Sequence, residues 1–343
     1  MQSKNRRTVT MKDVAKHVGV SQATVSYVLN DAVGEHIPEE TRSRVWAAMR
    51  EMGYRPHIGA RQMRTQRTNL LGFVTDVIAT TPYAGAIIKG AQDTARAAGK
   101  MLLLINTEGV PEVERGAVET LLEHRVEGII YATMYHRPVV LPANLADTKA
   151  VLLDCFVADR SITSVTPDEI LAGRTAIEVL LAKGHRRIGF INNEDPVPAT
   201  LERLEGYKQA LAAAGLAFDP TLVQVSPSTP AGGYECTLDL MRHPKRPTAL
   251  FCFNDRIAMG AYDALRKLSL VIPDDIAVIG FDNQEIIAGS LHPGLSTMQL
   301  PHYEMGVWSV KYLLGEIQPA EDIQGGGPIQ KVLECPYIKR ASV

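Results

Sequence analysis

Polar side chains capable of chemistry fall at the ends of short apolar runs, where strand mouths of a parallel sheet place groups that meet a ligand. Asp76 and Tyr83 follow LLGFVT, Thr133 closes GIIYAT, and Asp154 closes AVLLD. Asn192, Asn254 and Asp282 end RRIGFIN, ALFCFN and DIAVIGFD, and Arg203 opens the helix through EGYKQALAAAG. Carboxylates and amides that accept, an arginine fork and an aromatic platform suit a carbohydrate, which offers many hydroxyls and flat apolar ring faces. Each residue also has a structural reading. Asp282 could cap a turn, Asn254 and Asp255 could cap the next helix, and Arg203 could pair with Glu202 or Glu205. A second set, Gln22, Thr24, Ser26 and Tyr27, points outward from a short helix near the front of the chain.

Other chemistries lack their residues. Gly85 to Gly90 has the glycine spacing of a phosphate loop but continues Ala-Gln, where Lys-Ser/Thr is needed; no G-x-S-x-G elbow and no H-E-x-x-H helix occurs. His185 in KGHRR reads as a helix end, and Gly325-Gly326-Gly327-Pro328 as a turn. Cys155, Cys236, Cys252 and Cys335 lie far apart with no CxxC pair, which excludes a zinc module and a disulfide framework. We therefore expect no metal, no cofactor and no catalysis.

The elements that position these residues follow from pattern. Met11, Val14, Ala15 and Val18 recur at helical spacing; Gly19-Val20 breaks the run; Ser21 can cap a second helix that turns Val25, Val28 and Leu29 inward. A third helix begins near Pro38-Glu39-Glu40 and buries Val45, Ala48, Met49 and Met52 before Gly53. This is a helix-turn-helix arrangement, whose second helix presents polar side chains to base edges in the major groove. Charge agrees. Of the 36 Lys and Arg and 38 Asp and Glu, twelve and six lie in Met1–Arg67, so a head of +6 precedes a body of −8. Only the head would gain by displacing counterions from a polyanion.

From Asn69 onward, apolar runs alternate with amphipathic helices as in two successive parallel-sheet subdomains. LSTMQL and the helix Tyr303–Leu314 are read as returning to the first, with Lys331–Pro336 a late strand. At 343 residues the chain should hold two or three domains. No apolar run approaches the ~18 residues of a membrane span, and the polar, basic first ten residues carry no secretion signal, so a cytoplasmic, nucleoid-associated protein is expected.

The run MKDVAKHVGVSQATVSYVLN, followed by IPEETRSRVWAAMREMGYRPHIGARQMRTQRT, resembles the DNA-binding head of the lactose-repressor (LacI/GalR) family of bacterial transcription regulators. The markers KGHRRIGFI, RLEGYKQAL, ALFCFNDRIAMGAYDAL, IPDDIAVIGFD and YIKRAS resemble the family's periplasmic-binding-protein-like body. The resemblance implies an all-α helix-turn-helix domain at 1–55, a hinge at 56–68, and a two-lobed α/β effector domain of type I with parallel sheets at 69–343. It implies a homodimer on a roughly palindromic operator, a repressor, and a small-molecule effector, a sugar, bound between the lobes; whether as inducer or corepressor stays open. Ser21, Gln22, Ala23, Thr24, Ser26 and Tyr27 would face DNA, with Tyr27 standing where some members carry arginine. In the hinge, Met63 would be the minor-groove wedge, with Arg61 and Arg64 on phosphates. Asp154, Arg203, Asn254 and Asp282 match positions that often hold sugar hydroxyls. The rival readings are a transport receptor and an α/β enzyme with an appended basic domain.

Overall fold

The computed structural model describes residues 9–30, 37–54, 68–81, 84–317 and 327–343. The expectations for Arg61, Met63 and Arg64, for Tyr83 and for the Gly325-Gly326 turn lie outside these residues. The chain divides into two compact units, Met1–Thr68 and Asn69–Val343.

In the first unit α1 (Met11–Val18) starts at a capping box. The Asp13 N–H donates to Thr10 Oγ1 at 3.3 Å and the Thr10 N–H to Asp13 Oδ2 at 2.9 Å. It stops at Gly19, whose φ of 77° is the left-handed conformation that glycine adopts without a Cβ penalty. After the turn, Ser21 Oγ accepts the Thr24 N–H at 3.0 Å and so caps α2 (Gln22–Asn30). Helix α3 (Glu39–Met52) packs across both. Val14, Val18, Val25, Val28, Val45 and Met49 form the shared core. Arg44 Nη2 donates to the Val18 carbonyl at 2.7 Å, satisfying an end-of-helix acceptor of α1 from α3.

The second unit holds two α/β lobes. Strands β1 (Leu70–Thr75), β2 (Met101–Asn106), β3 (Ile129–Pro138), β4 (Ala150–Phe156), β5 (Ser164–Pro167) and β11 (Gln330–Leu333) form an all-parallel sheet in the order β11-β5-β4-β3-β1-β2. The other sheet has the order β12-β10-β9-β8-β6-β7, from β6 (Ile188–Asn193), β7 (Val223–Ser226), β8 (Ala249–Cys252), β9 (Ala277–Asp282), β10 (Ser296–Gln299) and β12 (Tyr337–Ile338). Only β12 runs antiparallel to its neighbour. Helices α4 (Gly85–Ala97), α5 (Pro111–Glu123) and α11 (His302–Leu314) cover the first sheet. The second is covered by α6 (Glu169–Ala182), α7 (Pro198–Ala213), α8 (Pro230–Arg242), α9 (Asp255–Lys267) and α10 (Glu285–Ala288). Phe190 and Phe251 stack at 4.6 Å between centroids at the centre of the second lobe. Each such fully buried side chain contributes ~1.5–3 kcal/mol by leaving water.

The structure differs from the sequence reading in several places. LSTMQL stays in the second lobe, because β10 pairs with β9 from Ser296 to Gln299; the return to the first lobe begins only at α11, which packs on α4. Strand β5 was not foreseen: its hydroxyl residues look polar, yet Ser164 and Thr166 are buried, and Ser164 Oγ is held by Gln330 Oε1 at 2.8 Å. The predicted late strand ends at Leu333, and residues 334–336 cross to the other lobe. Strand β3 runs past Thr133 to Pro138 through a register shift against β4. Arg203 lies inside α7, which starts at Pro198, so it does not open that helix.

Three helix pairs cross with main chain against main chain. A Cβ on Gly173 in α6 would lie 2.6 Å from the Arg203 carbonyl oxygen in α7, and one on Gly206 would strike the backbone of Ile170. Gly233 and Gly260 stand likewise between α8 and α9, and Gly90 and Gly306 between α4 and α11.

Candidate functional site

On the head, burial of Val25 and Val28 fixes which face of α2 is free. Gln22, Ala23 and Tyr27 are exposed, whereas Thr24 and Ser26, expected to point outward, are half-buried. The hydroxyls of Ser21 and Thr24 lie 2.8 Å apart, so both belong to the cap as well as to the edge of that face.

In the body, three segments cross between the lobes: β5 to α6, β10 to α11, and β11 to β12. Asp168 N–H donates to the Leu333 carbonyl and Gln299 N–H to that of Pro336, both at 2.8 Å, which binds the third crossing to the other two. Beside them the lobes face a cleft that is open to solvent at its mouth. Met134, Tyr135, His136 and Asp154 line it from the first lobe; Asn193, Arg203, Phe253, Asn254 and Asp282 are among those lining it from the second.

Arg203 is the best-anchored of these. Its Nε donates to Glu169 Oε2 at 2.7 Å and its Nη2 to Oε1 at 3.0 Å, a fork-to-fork pair in which each side chain is 3% exposed. Nη1 donates to the Phe253 carbonyl, and the guanidinium stacks 3.5 Å from the Phe281 ring centroid. The expected partners Glu202 and Glu205 are not the ones it uses. Asp282 lies 3.9 Å from Nη1 and accepts from Gln284 Nε2 at 2.9 Å. Burial outweighs the arginine's attraction and pushes its carboxyl up to about 6. Asp154, on the opposite wall, is held well above the ordinary carboxylate range by burial and then by the neighbouring Glu169, and its Oδ1 has no hydrogen-bond partner. Both carboxylates sit on left-handed backbone, with φ of 56° and 97° for Asp154 and Asp282. Aspartate is among the side chains that tolerate this conformation, at some cost in strain.

The eight expected cleft residues divide. Asp154, Arg203, Asn254 and Asp282 are brought together, with Asn254 also capping α9 by accepting the Ile257 N–H at 2.9 Å. Asp76, Thr133 and Asn192 do not line the cleft. Asp76 accepts from the Met134 N–H and from Arg137 Nη2, both at 3.0 Å, and so braces the extension of β3. Thr133 Oγ1 donates to the Asp154 carbonyl at 2.9 Å, and Asn192 Nδ2 to that of Thr200 at 3.0 Å. Residues at a strand mouth are as readily drawn into main-chain bracing as into a cavity. Tyr83 lies outside the described residues. The sequence reading missed His136, because it ended β3 at Thr133, and Glu169, which follows a strand it did not see. Phe253, next to Asn254, had a signal in the apolar run ALFCFN.

Among the described residues no group of three His, Cys, Asp or Glu is placed to hold a metal ion, and no helix is long and apolar enough to cross a membrane.

Residues 10–57 match the family model for bacterial regulatory proteins of the lacI family, and residues 68–340 that for periplasmic binding proteins and the sugar-binding domain of the LacI family. The ribose operon repressor of Escherichia coli K12 is 34% identical over 311 residues, spanning 90% of this chain and 93% of its own. Among solved structures, the lac repressor dimer bound to operator and the anti-inducer ONPF matches with a TM-score of 0.77 at 26% identity, covering 98% of this chain and 99% of that one. The transcriptional regulator CelR in complex with cellobiose matches with a TM-score of 0.65 at 27% identity, covering 98% of this chain and all of the other. These relatives are regulators of transcription, which sets aside the transport-receptor and enzyme readings. The chain belongs to the LacI family of bacterial transcription regulators, with a helix-turn-helix head that binds DNA and a two-lobed body of the family's sugar-binding type.

Proposed function

We propose that this chain is a homodimeric repressor whose affinity for a roughly palindromic operator is set by a sugar-class effector held between the lobes of the body. The observation that carries the reading is the cleft. Polar side chains from both lobes converge there beside the three crossings, so an occupant touching Asp154 on one wall and Arg203, Asn254 and Asp282 on the other changes the angle between lobes. On the DNA side, Gln22, Ala23 and Tyr27 read base edges from the exposed face of α2, flanked by Ser21, Thr24 and Ser26. Met63 enters the minor groove, with Arg61 and Arg64 on phosphates. The protein works in the cytoplasm at the nucleoid. Lac repressor is seen as a dimer on operator and CelR with cellobiose, and both precedents support this assignment.

The test is selection of duplexes from a randomised library with the full chain, followed by titration of the selected duplex with and without saccharides. The expected result is a site of two related half-sites whose affinity one saccharide changes at least tenfold, a coupling of about 1.4 kcal/mol. Selection of no common sequence, or one with a single half-site, counts against the dimeric operator reader.

A further inference from the structure

The second sheet has two rows of strand ends, and the cleft meets only the carboxyl ends. At the other row the neighbouring parallel strands β6, β8 and β9 bring their entering loops together: KGHRR before β6, RHPKR before β8, and the end of α9 with the loop before β9. These loops are joined. The Thr248 N–H donates to the Arg187 carbonyl at 2.9 Å and the Ala277 N–H to that of Thr248 at 3.1 Å, while Arg187 Nε donates to the Lys245 carbonyl.

Eight Lys and Arg gather here against five Asp, in a body whose balance is −8. Arg187, Arg242 and Arg266 are paired with Asp219, Asp239 and Asp263 at 3.0, 2.8 and 2.8 Å. Of the other two acids, Asp274 and Asp275 in the loop before β9, Asp275 accepts the Val271 N–H at 2.7 Å. Lys183, Arg186, Lys245, Arg246 and Lys267 have no ion-pair partner among the described residues. Helix dipoles account for cations at the carboxyl ends of α6, α8 and α9, but Lys245 and Arg246 lie beyond those ends. Between the carboxyl ends of α8 and α9 the same surface has a recess lined by Leu238, Met241, Leu268 and Leu270 and by Arg242, Arg246 and Lys267, with no acid in its lining. Leu268 is 41% exposed, and Lys267 Nζ is held at this place by donating to Tyr234 Oη at 2.8 Å.

The complement of this surface must supply negative charge and an apolar group together. A nucleic-acid backbone brings phosphates but nothing to fill the recess, whereas a protein segment with carboxylates around an apolar anchor brings both. We propose that the amino-end row of the second lobe docks an acidic segment of a partner protein, which seats an apolar side chain in the recess beside Leu268 and sets its carboxylates against Lys245, Arg246 and Lys267. Exposed ion pairs are individually weak and screened by salt, so several act together with the anchor. The surface is separate from the cleft, and the inference does not depend on what the cleft binds.

The experiment titrates the full chain by fluorescence anisotropy against three labelled probes: a glutamate-rich peptide with leucine at helical spacing, an all-glutamate peptide of the same length, and a random-sequence duplex, which the head binds. The leucine-bearing peptide should bind about tenfold more tightly than the all-glutamate one and weaken as salt rises. Lys245→Glu/Arg246→Glu, and separately Leu268→Gln, should each lose about tenfold in affinity for that peptide while duplex affinity stays within about twofold. Peptide affinity that is unchanged in either variant overturns the proposal, as does an all-glutamate peptide that binds equally well, or a chain that binds neither peptide. A duplex that loses affinity in step with the peptide makes the surface a nucleic-acid contact and overturns the proposal as well. The two peptides are compared on the wild-type chain, so that result decides even where circular dichroism shows a variant to be unfolded.

Discussion

The Glu169–Arg203 pair gives a sharp prediction because both side chains are 3% exposed and each is the other's closest ionic partner. Glu169→Leu leaves the Arg203 guanidinium with Asp282 at 3.9 Å as its remaining neighbouring acid, and Arg203→Met strands the Glu169 carboxylate. Removing one partner of a buried ion pair costs about 3–5 kcal/mol, since the other keeps its desolvation penalty without its attraction. For a body of this size a loss of 1 kcal/mol lowers the melting temperature by about 2 °C, so each single variant should melt roughly 6–10 °C lower. The double variant Glu169→Leu/Arg203→Met replaces the pair with apolar side chains of similar volume and should recover most of that loss, a coupling of about 5 kcal/mol or more. Urea unfolding of the four proteins, followed by circular dichroism, measures it. Single-variant losses that add to within about 0.5 kcal/mol in the double would refute the argument that the pair matters through mutual compensation. The restored double variant should still fail to respond to effector, which separates support of the fold from contact with ligand.

Three further outcomes follow from other residues. Burial holds the Asp282 carboxyl at about 6 against 3.8 for its ordinary value, so between these pH values the folded chain binds more protons than the unfolded one. Acidification from pH 7 to 5 should therefore stabilise wild type relative to Asp282→Asn, by up to about 1–2 kcal/mol, and an advantage of wild type that instead grows with rising pH would contradict the assignment. Gly206→Ala should destabilise by about 1–2 kcal/mol despite a helix-propensity gain of about 1 kcal/mol, because its Cβ meets main chain that cannot rotate away; a stabilised variant in urea unfolding would disprove the close crossing. Met63→Gly should weaken operator binding more than nonspecific binding in parallel titrations, and an equal loss on both would count against a minor-groove wedge.

Legibility in the sequence followed the length of the signal. Helices α1 to α3 could be read because caps and glycines mark their ends: Ser21 before α2, and Gly19 and Gly53 in left-handed conformation after α1 and α3. Long buried strands such as β4 and β9 announced themselves as apolar runs. The four-residue β5 did not, since a short buried strand of Ser and Thr carries no hydrophobic pattern, and with it Glu169 was lost. Within the cleft Asp154, Arg203, Asn254 and Asp282 were found, helped by the family resemblance, while His136 required knowing that β3 bends onward through a register shift. Asp76, Thr133 and Asn192 show the opposite error: a polar residue at a strand mouth signals an opportunity for contact, and main-chain amides a few residues away can claim it first.

The glycine crossings have a mechanical consequence. Side-chain interfaces soften under load because rotamers can change and absorb displacement, whereas contacting backbones have no such freedom. With α6 against α7, α8 against α9 and α4 against α11 joined this way, each lobe behaves as a stiff plate. Work done by an occupant on one plate is then transmitted to the three crossings with little dissipation inside either lobe. Searches for altered selectivity should accordingly find tolerant positions on the cleft walls, and few along these rigid seams.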